Sequence, residues 1–190
     1  MRKIVLASSS LRRREILQHA GIPFIVDHPD IEEHKPQGVL PAQLVKNLAL
    51  AKALAVAPRY KDAIVISADT IVAFGKKICG KPQGEREAHT ILRTLSGREH
   101  VVWTGFCIVD TRSGEWIVRA EKARVWMRDL SDRDIKRYTI SGESLKAAGG
   151  YSLHAGGSVL TERIDGDINT ILGLPLSAIL KELKKFGVRV

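Results

Sequence analysis

The run Ala63-Ile64-Val65-Ile66-Ser67-Ala68-Asp69-Thr70-Ile71-Val72-Ala73-Phe74 decides the fold. It is the most strand-like stretch of the chain, rich in β-branched and apolar residues. Asp69 is expected to break it. The apolar segment 63–66 delivers a carboxylate and a hydroxyl, and the strand resumes at Ile71. Gly75-Lys76-Lys77 then turns the chain. Upstream, residues 41–57 read as a helix with Pro41 near its first position and an apolar face of Leu44, Leu48, Ala51 and Ala55. Before it, Lys3–Ala7 is a short apolar strand, Ser8-Ser9-Ser10 can cap a helix over 11–20, and 24–26 reads as strand. Residues 27–38 are polar, contain two prolines and read as loop.

Downstream, Glu85–Leu95 reads as a helix, and 100–109 and Trp116–Met127 as two long strands joined around Thr111-Arg112-Ser113-Gly114. Ser131 and Asp134 form a capping box for a helix to about Thr139. A glycine-rich loop covers 141–157, a strand 159–164, and Pro175 opens a last helix ending near Gly187. Strands and helices interleave, with some neighbouring strands antiparallel. This pattern predicts one α/β domain over 1–190, with a mixed twisted sheet and flanking helices.

Composition narrows the class. The 190 residues are 44% hydrophobic and 27% charged, enough to bury a core and too apolar for disorder. No stretch approaches the roughly 20 apolar residues that span a bilayer. The opening Met1-Arg2-Lys3-Ile4-Val5-Leu6-Ala7 is too short in its apolar part for a signal peptide, and Arg12-Arg13-Arg14 follows closely. A cytoplasmic protein without a membrane partner is expected. Cys79 and Cys107 stand singly and read as small buried side chains, neither zinc ligands nor a disulfide. The net charge of +9 attracts anions without saying which.

Three segments could carry chemistry. Ser8-Ser9-Ser10-Leu11-Arg12-Arg13-Arg14-Glu15 follows a strand and opens a helix, whose free N–H groups and positive dipole end suit an anion. Arginines in a first turn oppose the dipole unless an anion answers them, so this element reads as a phosphate site or as a solvated basic face. Asp69 after its apolar strand needs a hydrogen-bond network, a cation or a metal, unless it only forms a turn. Lys81 in Gly80-Lys81-Pro82 could place one charge on a phosphate, or be an exposed loop lysine. Lys52, on its largely apolar helix, carries the same two readings. The P-loop spacing, the dinucleotide-binding glycine pattern and the Ser-His-Asp elbow are missing. His19, His28, His34, His89 and His100 read as surface or capping residues, and no histidine pair has metal-ligand spacing.

These pieces occur together and in one order. Leu6-Ala7-Ser8-Ser9-Ser10-Leu11-Arg12-Arg13-Arg14-Glu15-Ile16-Leu17 is followed by Asp30-Ile31-Glu32-Glu33, Ala51-Lys52-Ala53, Ser67-Ala68-Asp69-Thr70 and Gly80-Lys81-Pro82. Then come Leu95-Ser96-Gly97-Arg98-Glu99-His100, Thr104-Gly105, Ser141-Gly142-Glu143, Gly149-Gly150-Tyr151 and Gly173-Leu174-Pro175-Leu176. The ordered set covers nearly the whole chain and resembles the Maf family of nucleoside triphosphate pyrophosphatases. The resemblance implies an α/β fold related to the inosine triphosphate pyrophosphatases, with two lobes around a cleft. It implies hydrolysis of nucleoside triphosphates to the monophosphate and pyrophosphate. It matches Asp69 to the catalytic carboxylate, and Ser8, Ser10, Arg12, Arg13, Lys52 and Lys81 to the substrate. A divalent cation, Mg²⁺ or Mn²⁺, would be held by Glu33 and Asp69 through hard oxygen ligands. The implied partner is the nucleotide, with room for a homodimer and no stable nucleic-acid partner.

The sequence departs from the family at Leu11 in place of Pro, at Ala147-Ala148-Gly149 in place of Lys-Ala-Gly beside Lys146, and at Leu153-His154-Ala155 in place of Ile-Gln-Gly. That Gln belongs to the set that reads a pyrimidine, so His154 takes a base-reading place. Thr70 keeps the form that prefers dTTP and UTP. The competing expectation is a basic nucleic-acid-binding or septum-regulating module without turnover. Asp69, Glu33 and Glu143 among the cations oppose it, since carboxylates repel a phosphate backbone unless a metal intervenes.

Overall fold

β1 (Lys3–Ala7) starts the sheet, with every residue after Lys3 buried. The computed structural model describes residues 2–32, 38–154 and 156–188. β1 pairs in parallel with β2 (Ile25–Asp27), Val5 opposite Ile25, and with β3 (Ala63–Phe74), Leu6 opposite Ile66. Parallel neighbours need crossover connections. These are α1 (Leu11–His19) and α2 (Pro41–Val56). Gly75, at φ +56°, turns the chain so that β4 (Lys77–Cys79) pairs antiparallel with β3. After α3 (Glu85–Leu95) come the long strands β5 (Glu99–Asp110) and β6 (Trp116–Met127), then α4 (Asp132–Thr139). β7 (Thr161–Asp165) pairs antiparallel with β6, and α5 (Ile168–Leu172) and α6 (Leu176–Leu183) follow. The strand order is β2-β1-β3-β5-β6-β7, with β4 beside β3. The expected α/β class with a mixed sheet is therefore present.

Three expectations about the secondary-structure elements need correction. β3 is continuous through Asp69, because backbone pairing does not depend on the side chain and the carboxylate has an ammonium partner. The buried face of α2 is Leu44, Val45, Leu48, Ala49, Lys52, Ala53 and Val56, while Ala51 is exposed. Alanines say little about which way a helix faces, and Val45 and Val56 turn it. The last strand is Thr161–Asp165, since Val159 belongs to a 3-10 turn and is exposed. β4 and α5 are too short to show a period in sequence.

The chain divides into two compact units. The first comprises Met1–Asp69, Thr104–Glu121 and Gly173–Val190. Its core packs Val5, Ala49, Ala53, Val56, Val65 and Cys107. Here β5 and α2 approach so closely that a Cβ at Gly105 would lie 2.3 Å from the Val45 carbonyl oxygen, which explains the Thr104-Gly105 step. Burial pushes the Cys107 thiol up to about 12, so it is an inert core group. Asp110 takes both of its oxygens to Arg2, and that guanidinium holds its carboxyl well below the usual range.

The second unit comprises Thr70–Trp103 and Lys122–Leu172. Its core packs Val72, Leu92, Leu95, Val102, Val125, Met127 and Tyr151. The capping box of Ser131 and Asp134 opens α4 as the sequence predicts. His100 is not a surface residue. It is 2% exposed, with Nε2 2.7 Å from the Tyr151 hydroxyl and the two rings edge-on. Burial pushes its pKa down to about 4. The unfolded chain therefore binds a proton at His100 that the folded chain refuses, between the ordinary value of about 6.5 and about 4. Stability from this group is complete above that window and falls as pH drops through it, by up to about 3 kcal/mol. Urea midpoints measured from pH 7 to pH 4 should fall for the wild type, with a clearly shallower fall for His100→Gln. Equal slopes for the two proteins would remove His100 from the pH response.

Candidate active site

In open α/β sheets, ligands gather outside the carboxyl ends of parallel strands. β1 stops at Ala7, and its partner β3 continues from Ile66 to Asp69. Ser8 leaves the end of β1 buried. Its Oγ accepts from the Ser10 backbone N–H at 3.2 Å and from Arg13 Nη1 at 3.2 Å. Ser10 is the N-cap of α1, its side chain accepting from the Arg13 N–H at 3.5 Å. The first turn of α1 holds no acidic residue. Its basic residues thus lie at the positive dipole end of the helix, as the sequence anticipates.

The arginines separate by geometry. Arg13 is half-buried, and its Nε donates to the Gly173 carbonyl at 2.8 Å while Nη1 reaches Ser8. It braces the end of β1 against the segment that opens α6, which gives Gly173-Leu174-Pro175 a structural reason. Arg12 is half-buried and Arg14 exposed. Arg13→Ala should therefore lower kcat/KM by about 1.5–3 kcal/mol, the range for hydrogen bonds of charged groups, and lower the melting temperature as well. Arg14→Ala should change stability by less than about 0.5 kcal/mol and leave turnover near wild type. Kinetics and thermal melts of both variants check this, and equal losses would favour a diffuse basic patch.

Asp69 meets Lys52 from α2, with Nζ 2.5 Å from Oδ1. The residues are 8% and 6% exposed for Lys52 and Asp69. Lysine on an apolar helix usually snorkels to water, so its burial was open in the sequence. Ser67, which sequence reasoning passed over, donates from Oγ to the Ala49 carbonyl at 2.5 Å. That bond ties β3 to α2 one turn before Lys52 and fixes the angle at which the lysine meets the carboxylate. The available signal was a hydroxyl in a buried strand, which must find an acceptor. The first unit thus gathers Ser8, Ser10, Arg13, Lys52 and Asp69 around strand ends and one helix start.

The second unit carries Thr70, Lys81 and His154. Thr70 is half-buried, while Lys81 and His154 are exposed. The Gly149 N–H donates to the Gly80 carbonyl at 3.0 Å, tying the turn of Lys81 to the glycine segment. Gly149 sits at φ +73°, and a Cβ there would lie 2.7 Å from Val72 Cγ2, so only glycine fits. Ser152 N–H donates to the Tyr138 hydroxyl at 2.9 Å, and Tyr151 is held on His100, which anchors the backbone leading to His154. Lys146 pairs with Glu143 at 2.7 Å. Glu33 lies outside the described residues, and among the described residues no three His, Cys, Asp or Glu side chains cluster as a metal cage.

A family model described as Maf-like protein matches residues 3–186. The dTTP/UTP pyrophosphatase of Pelotomaculum thermopropionicum is 40% identical over 190 residues, covering 100% of both chains. The dTTP/UTP pyrophosphatase of Dictyoglomus thermophilum is 39% identical over 187 residues, covering 98% of this chain and 97% of its own. Among solved structures, the Staphylococcus aureus Ham1 protein superposes with a TM-score of 0.51 at 12% identity, over 97% of this chain and 99% of that one. This last likeness is one of fold alone.

Proposed function

This chain belongs to the Maf family, and we propose that it hydrolyses nucleoside triphosphates to the monophosphate and pyrophosphate, with dTTP and UTP among its preferred substrates. The observation that carries this reading is the buried pair between Lys52 of α2 and Asp69 of β3, the strand beside β1, which leads into Ser8 and the start of α1. A triphosphate needs donors and positive charge, and Arg12, Lys52 and the α1 N-terminus provide them. Arg13 holds Ser8 in place for that role. Lys52 fixes one oxygen of Asp69, and the remaining acceptor capacity of the carboxylate serves the attacking water. The water oxygen bonds to the α-phosphorus, and the bond to the bridging oxygen of the β-phosphate breaks. Pyrophosphate leaves, and the water proton passes to the Asp69 carboxylate.

The donor chemistry suits a divalent cation. Mg²⁺ takes one or two carboxylates plus substrate phosphates and waters, so Asp69 with a bound triphosphate needs no closed protein cage. Such a cation would neutralise charge that develops on the phosphate oxygens. Glu33 is the second carboxylate assigned by the family resemblance. The buried free thiols Cys79 and Cys107 fit the reducing cytoplasm, where we place the protein.

His154 stands in place of a glutamine whose amide offers donor and acceptor side by side, whereas a neutral imidazole separates them on two nitrogens. Imidazole can stack on any base. Thr70 keeps a pyrimidine bias, and the selectivity for one base should stay below about 10⁴-fold, short of sites that hydrogen-bond their substrate strictly. The test is kcat/KM for UTP, dTTP, CTP, GTP and ATP, with pyrophosphate quantified, with and without Mg²⁺. His154→Gln should sharpen the preference for UTP and dTTP. Selectivity above about 10⁴-fold for one base sinks the stacking account, and no pyrophosphate from any nucleotide sinks the activity itself.

A further inference from the structure

The second unit carries a solvent-facing basic and aromatic surface on β5, β6 and β7 that the hydrolysis does not use. Along β6 the side chains alternate. Ala123, Val125 and Met127 are buried, while Lys122 and Arg124 are exposed and Trp126 is partly so. β7 extends this outer face, because directly paired residues share a side of the sheet. Trp126 is opposite Arg163 and Arg124 opposite Asp165. The Arg163 guanidinium lies 4.4 Å from the Trp126 ring centroid and that of Arg124 lies 5.7 Å from it. On the neighbouring β5, Trp103 has the Lys122 ammonium 5.6 Å from its ring centroid. Two carboxylates share this face: Asp165, which offsets Arg124 at 2.5 Å, and the exposed Glu99, on the same side of β5 as Trp103. The cations Lys122, Arg124 and Arg163 outnumber them.

Cations interleaved with aromatic rings on an open sheet face match the needs of single-stranded nucleic acid. The cations answer phosphates, and indole or guanidinium planes accept stacked bases without reading sequence. Charge complementarity in a chain of net charge +9 favours a polyanion over a protein surface. We propose that the outer face of β5, β6 and β7, built on Trp103, Lys122, Arg124, Trp126 and Arg163, binds single-stranded nucleic acid separately from hydrolysis. A base stacks on the Arg163 guanidinium or takes its place on Trp126. Lys122 can swing from Trp103 to a phosphate on its flexible stem.

The test uses the full-length protein and a fluorescein-labelled oligothymidylate of about 15 nucleotides, within the span of one single-strand site. Anisotropy is read across a salt series. The wild type should bind, and tightness should fall with salt. Trp126→Ala should weaken binding at least about fivefold, the low end for one lost base stack. Lys122→Gln changes an exposed side chain with no core contact to lose. It should lower the salt slope by about 0.7, the share of one phosphate contact on a single strand. UTP hydrolysis by both variants should stay at the wild-type rate. No binding by the wild type, or wild-type binding by folded Trp126→Ala and by Lys122→Gln, overturns the proposal. So does a loss of stability in Trp126→Ala with affinity unchanged, which would make the ring and its cations a sheet brace only.

Discussion

Asp69→Asn is expected to lose at least roughly 10²-fold in turnover, the low end for a general base, with little change in KM. The substitution keeps size and removes charge and basicity. The amide oxygen still accepts from Lys52, but the buried ammonium loses its counter-charge, so the melting temperature should fall, and turnover is compared at a temperature where the variant is folded. The loss then belongs to the chemistry. Steady-state kinetics beside a melting curve decide it. Turnover within a few-fold of wild type in the folded variant would take Asp69 out of the mechanism.

The second large effect concerns its partner. Lys52→Met fills a similar volume and leaves a carboxylate buried without its ammonium. Removing one member of a buried ion pair costs about 3–5 kcal/mol, because the remaining charge has lost its partner. Both melting temperature and kcat/KM should fall. Combining Lys52→Met with Asp69→Asn should recover stability relative to the lysine variant alone, since no charge is then stranded. Activity should stay lost in the pair. Stabilities that simply add would mean that the two side chains do not depend on each other. Denaturant melts of the four proteins provide the cycle.

What the sequence made legible follows from the strength of each local signal. Lys3–Ala7, the Ser10 cap and the Ser131–Asp134 box rest on neighbouring residues, and all three are in the structure. Asp69 was visible as a carboxylate needing a partner, but its partner lies 17 residues back on another element. No periodicity connects the two. The same limit hid Ser67 bonding to Ala49, the bracing of Arg13 on Gly173, and the contact of His100 with Tyr151. Each is a long-range meeting of single polar groups, and sequence spacing carries no information on it. Gly105 was quoted as part of a motif, and only the Val45 carbonyl beneath it explains why a side chain is refused. The order of motifs singled out the residues proposed to hold the phosphates, and the packing separates Arg13, which bonds Ser8 and Gly173, from the exposed Arg14.

Water attacking the α-phosphorus at the site built around Asp69 and Lys52 leaves its oxygen on the monophosphate. Hydrolysis of UTP in heavy-oxygen water, with the products separated and weighed by mass spectrometry, reads this out. One labelled oxygen is expected in UMP and none in the pyrophosphate released with it. Label in the pyrophosphate would place the attack on the β-phosphorus, and UDP with labelled orthophosphate would place it on the γ-phosphorus; either result contradicts attack at the α-phosphorus.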